Sequence, residues 1–313
     1  MDNESLRLGI SLTQNKIRFV EAEIWNNETS LLNVTEADLD TSFEMPVIRN
    51  NDLVPRFATV IDNAVNSSSL QARTARLSLG RRFALTKAVL LDKELEESKV
   101  RQHIEWELDQ YLISPRDEFN VGFEYVSPPG ITQDIAIVVA VRKSVVRYIQ
   151  EIFKKTVVSL DTIDLDIFSE MRALKKGADE IQHGLNAIVN ISDNGLNLVL
   201  LENGHFLISS EYLEDENDQL EGTSSQIAQT IHRELNSLAK KMGRQNAQIS
   251  NIYFSGESVE SSVLYEVGNI YNETTVRKAN PFDNVHRQLN LEAEDFIQNI
   301  PEKFVASFGM VID

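Results

Sequence analysis

The chain has 313 residues, 48 acidic and 30 basic side chains, a formal net charge of −18 and no cysteine. Disulfide scaffolds, cysteine-ligated zinc and thiol catalysis are thereby excluded, and the acidic balance lacks the basic footprint that nucleic-acid binding needs. A hydrophobic share of 42% with 7% aromatics is that of a globular chain of about two domains.

The longest apolar runs, Ile135–Val141 and Leu198–Leu201, are far shorter than the ~20 residues of a membrane helix. The opening Met-Asp-Asn-Glu-Ser is acidic, whereas a signal peptide starts basic and continues apolar. The expectation is a cytoplasmic protein with no direct membrane insertion.

Leu6, Leu8, Ile10 and Leu12 alternate with polar or small residues, the period of a half-buried strand. A second strand is expected at Ile17–Glu23, after the turn Thr13–Lys16, and a third near Leu31–Thr35. Leu53, Phe57, Val60, Ile61, Ala64 and Val65 follow at helical spacing, and Asn66–Ser69 ends that helix. Ala75–Leu79 and Phe83–Leu91 read as a strand pair opening a new module. A helix over Glu94–Leu112 follows, then a strand at Phe119–Tyr125, a turn at Pro128-Pro129-Gly130 and the buried strand Ile135–Val141. Two more helices carry Val145–Phe153 and Ile167–Leu174, and the polar stretch Ala178–Gly184 reads as a linker.

Beyond it, Ala187–Ile191, Leu196–Leu201 and His205–Ser210 repeat the opening three strands, and a long helix, Ser225–Met242, repeats the helix after them. The Asn194-Gly195 pair predicts a tight hairpin turn. A strand at Ile249–Ser255 and a helix at Val259–Val267 follow, and the end, Phe304–Ile312, is apolar. The repetition points to a duplicated α/β fold with an α+β insertion. The expected parts are a first subdomain at 1–74, completed by about 156–180 and 301–313, an insertion at 75–155, and a shortened second half at 181–300.

Sites of chemistry are scarce. The five histidines, His103, His183, His205, His232 and His286, are dispersed and share no ligand spacing. No nucleophile elbow, Walker loop or dinucleotide fingerprint occurs. Asp161, Asp164 and Asp166 stand at near-helical spacing, a pattern that helix caps explain as well as a metal. The acidic run from Glu211 to Glu221 lacks the spacing of a calcium loop. No catalytic residue and no metal site is expected.

Several segments resemble, in the right order, the PilM-type assembly proteins of the actin-like ATPase superfamily. Leu8–Thr13 followed by Ile17–Glu21 is similar to that family's opening hairpin, Gly-Ile-Asp-Ile-Gly then Val-Lys-x-Val-Glu. Glu105-Trp106-Glu107 with Gln110-Tyr111 resembles its Trp-Glu-x-Glu-Gln-Tyr helix, Ile137–Lys143 its Val-Ala-Ala-Arg-Lys strand end, and Ala279–Phe282 its Ala-Asn-Pro-Phe. The resemblance implies an actin-like fold of two duplicated halves with an inserted subdomain in the first.

In the superfamily, two hairpin turns grip the phosphates of ATP, each with an Asp for hydrated magnesium and a glycine beside the phosphates. Here the Asp positions align with Ser11 and Asn190, and the glycines with Thr13 and Ser192. Ser and Asn carry no charge for magnesium, and the Cβ of Thr and Ser crowds the approach of a phosphate. On the adenosine side Ser255-Gly256-Glu257 keeps one glycine, Gly256, of the usual two, and the link from Tyr212 to Ser225 is short. The site is therefore expected to be degenerate, with no cofactor and no enzymatic activity.

The resemblance further implies a cytoplasmic scaffold of a type IV pilus or type II secretion-like assembly. Its partner would be the N-terminal tail of an inner-membrane protein of the PilN type, held as an extended peptide in a groove walled by the strand near Ala75–Leu90. The alternative is an ATP-binding assembly protein with a divergent nucleotide site.

Overall fold

A computed structural model describes residues 5–26, 28–92, 96–126, 134–192, 195–213 and 222–312. The chain opens with β1 (Ser5–Leu12), β2 (Lys16–Trp25), β3 (Glu28–Asp38), α1 (Val54–Ser67) and β4 (Thr74–Leu79). Next come β5 (Ala84–Leu91), α2 (Glu97–Asp109), β6 (Phe119–Val126), β7 (Asp134–Arg142), α3 (Lys143–Phe153), β8 (Ser159–Leu165) and α4 (Asp166–Gly177). The later part holds β9 (Leu185–Ser192), β10 (Gly195–Glu202), β11 (His205–Leu213), α5 (Ser224–Lys241), β12 (Ile249–Ser255), α6 (Ser261–Ile270) and β13 (Thr275–Lys278). The chain closes with β14 (His286–Arg287), α7 (Leu291–Asn299) and α8 (Val305–Gly309). The expected turns at Pro128–Gly130 and at Asn194, and the acidic residues 214–221, lie outside the described residues.

The chain forms two compact units. One contains Met1–Ala84, Val141–Gly177 and Asn280–Asp313, the other Leu85–Ala140 and Ala178–Ala279. These divisions depart from the boundaries expected at 74/75, 155 and 300.

The first unit is built on a six-stranded sheet of order β14-β3-β2-β1-β4-β8. β1, β2 and β3 form an antiparallel meander, whereas β4 runs parallel to β1, and β8 parallel to β4. α1 begins with a proline in its first turn and buries a stripe of Phe57, Ala58, Ile61, Ala64 and Val65. One expectation fails here. Ala75–Leu79 does not pair with Phe83–Leu91; it is β4, an interior strand whose Ala75, Leu77 and Leu79 are wholly buried. The helix over 143–153, α3, packs on α1.

The C-terminal segment completes this unit. α8 packs on β1, β2, β4 and α4. Arg7 Nη1 donates to the Val311 carbonyl at 3.0 Å, and Arg172 Nε to the Gly309 carbonyl at 3.1 Å. The approach is so close that a Cβ on Gly9 would stand 2.0 Å from the Ser307 carbonyl oxygen. Only a residue without a side chain fits at that point of β1.

The second unit repeats the plan in a five-stranded sheet of order β11-β10-β9-β12-β13. β9, β10 and β11 are antiparallel, and β12 runs parallel to β9, as β4 does to β1. α5 packs on this sheet, started by a capping box in which Thr223 N donates to Gln226 Oε1 at 2.8 Å and Gln226 N donates to Thr223 Oγ1. The insertion adds a three-stranded sheet of order β5-β7-β6. Ala136, Val138 and Ala140 of β7 pack with Ile104 and Leu108 of α2. Ile135 is buried instead among Leu185, Leu198 and Leu235, in the core of the duplicated half. One strand thus contributes to two cores, with Val138 and Ile135 each adding about 1.5–3 kcal/mol.

The seating of α8 on β1 gives a direct prediction. Gly9→Ala should lower the free energy of unfolding by about 2–3 kcal/mol, because backbone must move to admit the methyl group. Urea unfolding of the variant measures this, and an unchanged midpoint would show that the contact does not hold the fold.

Candidate functional site

The two turns singled out by sequence lie in different units, and each is built from its own surroundings. In the first unit, β1 and β2 are joined by Thr13–Lys16. Thr13 N donates to the Lys16 carbonyl at 3.0 Å. Thr13 Oγ1 accepts from Lys16 N and donates to the Lys16 carbonyl, both at 3.1 Å. The residue in the glycine position therefore uses both its amide and its side chain to close the turn.

The segment after β3 covers the turn. Phe43 N donates to the Gln14 carbonyl at 2.7 Å, and Leu39 N to the Asn15 carbonyl at 2.8 Å. Gln14 Nε2 donates to Glu44 Oε1, and Gln14 Oε1 accepts from Arg82 Nη1 at 3.2 Å. Lys16 Nζ pairs with Glu36 at 2.5 Å and Asp38 at 3.0 Å. Burial pulls the Lys16 ammonium down, but its hydrogen bonds to Glu36 and Asp38, with the attraction of both charges, outweigh this and raise it above its ordinary value.

Ser11 is 4% exposed, on the same face of β1 as Gly9, and its Oγ has no hydrogen-bond partner. By register it lies between Ser78 of β4 and Arg18 of β2, and Arg18 lies next to Glu36 of β3. Arg18, 1% exposed, donates through Nε to Glu36 Oε2 at 3.0 Å and lies over the Phe304 ring at 5.5 Å. The charge beside Ser11 is thus a cation already matched to an acid.

In the second unit, Asn190 of β9 stands in register with Asn197 of β10 and Ser255 of β12. Its Nδ2 donates to Ser255 Oγ at 3.2 Å. Ser192 Oγ donates to the Gly195 carbonyl at 3.2 Å, across the hairpin. Gly256 has φ +107°, and a Cβ there would lie 2.4 Å from the Ile191 carbonyl oxygen. This glycine serves the approach of β12 to the end of β9, an internal packing need. Ser11, Thr13, Asn190 and Ser192 together offer hydroxyls and an amide, and no charge.

The three aspartates near residue 166 are not a helical cluster. Asp161 and Asp164 lie on β8, and only Asp166 belongs to α4. Asp161 lies 3.7 Å from Arg76 Nε, Asp164 2.7 Å from Arg172 Nη2, and Asp166 3.0 Å from Arg81 Nε. Asp166 does serve its helix start, accepting from Ile167 N at 2.7 Å. Among the described residues no group of three or more His, Asp or Glu side chains could hold a metal ion. Arg81, buried, also pairs with the buried Glu170 at 3.3 Å. No spacing in the sequence links Arg81 to residues 166 and 170.

Among the described residues no helix is long and apolar enough to cross a membrane. No curated protein matches the chain by sequence. Among solved structures, a PilM–PilN type IV pilus biogenesis complex contains a chain similar at TM-score 0.71, with 15% identity over 98% of each chain. A Bacteroides thetaiotaomicron protein of actin-like ATPase fold and unknown function is similar at TM-score 0.51, with 12% identity over 94% of this chain and 96% of that one. The cytoplasmic domain of EpsL, an inner-membrane component of the Vibrio cholerae type II secretion system, gives TM-score 0.50, with 6% identity over 94% and 93%. These likenesses place the fold among the actin-like proteins. The family profile of the type IV pilus assembly protein PilM matches residues 9–213, well over half of the 313, and the chain belongs to that family.

Proposed function

We propose that the chain is a non-catalytic scaffold of a type IV pilus or type II secretion-like assembly, which holds the N-terminal cytoplasmic tail of an inner-membrane partner of the PilN type. It would then act at the cytoplasmic face of the inner membrane, attached through that partner. Membership of the pilus assembly family supports the role in assembly. The partner is suggested by the similar chain solved in a PilM–PilN complex.

The observation that carries the non-catalytic reading is the closure of the turn at 13–16, together with the neutral residues at both acid positions. A hydrated magnesium ion is held by carboxylates, and Ser11 and Asn190 supply none. A phosphate cradle needs backbone amides turned outward, whereas the Thr13 amide is spent on Lys16. Ser11, Thr13, Asn190, Ser192 and Gly256 therefore do not fit a magnesium–nucleotide. The alternative, ATP binding at a divergent site, is decided by a thermal-shift series in millimolar Mg-ATP. No saturable response is expected, whereas a ligand at about 100 times its dissociation constant would add about 2.7 kcal/mol of stability. A shift of several degrees would establish the alternative.

An extended tail would be held by main-chain hydrogen bonds and side-chain pockets. The wall expected at Ala75–Leu90 is halved by the structure, since β4 is interior. β5 has a ladder partner on one side only among the described residues, and its Leu90 is exposed. Titration of the full chain with a synthetic tail peptide of the PilN-type protein should show saturable binding. Raising salt from about 50 to about 500 mM should weaken it less than about tenfold, because exposed pairs contribute little once screened. A hundredfold loss would assign the contact to charge instead.

A further inference from the structure

The first unit contains a cavity of about 360 Å³ remote from the turn at 13–16. Its wall includes Glu21 of β2, Asn33 and Thr35 of β3, Ser68 after α1, and Asn290 and Glu292 at the start of α7. Glu21 pairs with Leu8, whereas Ile17, at the turn, pairs with Leu12. The two places are about 13 Å apart along the strand.

The chemistry of the wall has one sign. Among the described residues it holds two carboxylates, Glu21 and Glu292, and no lysine, arginine or histidine. Glu21 is 3% exposed. Its Oε1 accepts from Gln71 N and Ala72 N, both at 2.7 Å, and its Oε2 accepts from no group among the described residues. A buried carboxylate without a cation is costly, and two amide bonds offset that cost only in part. Asn33 spends Nδ2 on the Ser68 carbonyl at 2.7 Å, which leaves its Oδ1 as an acceptor, and Ser68 Oγ donates to Thr35 Oγ1 at 2.9 Å. The positive end of α7 is met by Asn290, whose Oδ1 accepts from Ala293 N at 2.8 Å, and by Glu292 and Glu294 in the first turn.

We propose that this cavity binds a guanidinium or alkylammonium group, with Glu21 Oε2 as the principal acceptor and Glu292 at the rim. A guanidinium brings five donors and an ammonium three, with no acceptor to clash with the carboxylates. The volume is at the lower end of small-molecule sites, enough for the charged group and a short alkyl stem. Such a group can come from a free small cation or from a basic side chain of a partner.

Calorimetric titration of the full chain separates these. Agmatine stands for a free cation, N-acetylarginine methylamide for a side chain, and N-butylurea is an uncharged control. At least one of the two cations should bind with a dissociation constant of about 1 mM or tighter, and the urea should not. Binding of agmatine alone would identify a free cation, and binding of the blocked arginine a partner's side chain. Glu21→Gln keeps an acceptor for the Gln71 and Ala72 amides and should weaken binding about tenfold or more; Glu292→Gln should weaken it less. A crystal soaked in agmatine gives a readout independent of whether either variant folds, with the cation expected on Glu21. Failure of both cations to bind, equal binding by Glu21→Gln, equal binding of the urea, or a cation seated elsewhere would overturn the proposal.

Discussion

The first unit depends on backbone meeting backbone where the C-terminal segment lies on β1. The unit is assembled from three separate stretches of chain, and the last of them closes it. Gly9 lets the Ser307 carbonyl come down onto the strand, Arg7 ties the Val311 carbonyl, and Phe304 lies against the buried Arg18. The fold thus cannot be completed until residues some three hundred positions apart are brought together, a long loop to close but one whose entropic cost grows only slowly with length.

That contact also bears on the chemistry of the neighbouring position. Ser11 shares its face of β1 with Gly9 and is buried beside Arg18. An unsatisfied hydroxyl there costs about 1–3 kcal/mol. A carboxylate would cost more, unless it drew Arg18 away from Glu36, and removing one partner of such a buried pair costs about 3–5 kcal/mol. A neutral residue at 11 is the arrangement that leaves Arg18–Glu36 intact. The second unit solves the matching position with an amide, Asn190, bonded to Ser255.

The strands that alternate, β1 and β9 to β11, were legible because one face or both is apolar, and their repetition revealed the duplicated fold before any coordinates. β8 was not legible. Its Ser159, Asp161 and Thr162 are exposed on a sheet edge, so neither apolar alternation nor an apolar run marks it, and its two aspartates with Asp166 imitate helical spacing. β4 was assigned to the insertion because sequence order places it beside β5, whereas β1 and β8 are its true neighbours. The missing charge at Ser11 and Asn190 was readable from residue type, yet the closure of Thr13 on Lys16 is a matter of geometry that no residue type announces. The Glu21 cavity was invisible for a related reason. One acid in an apolar strand gives no sign that residues 67–71 and 290–293 meet above it.

On the scaffold reading, the fold must be stable with no nucleotide to support it, since a ligand that binds only the folded state contributes in proportion to the logarithm of its saturation. The interactions that could replace such support are internal and charged. Arg18 with Glu36 and Arg81 with Asp166 and Glu170 stand in the first unit, and Arg244 with Glu202 at 2.7 Å in the second. In the last of these the hydrogen bond that Arg244 donates to the Glu202 carboxylate leads in raising the guanidinium above its ordinary value, against the opposing effect of burial. Largely buried pairs of this kind contribute less to net stability than apolar packing would, but they penalise any arrangement that separates them. A unit held in this way gains definition rather than extra stability. That is the property a scaffold needs, because a partner's tail meets a surface already formed and the ordering cost of binding falls on the peptide alone.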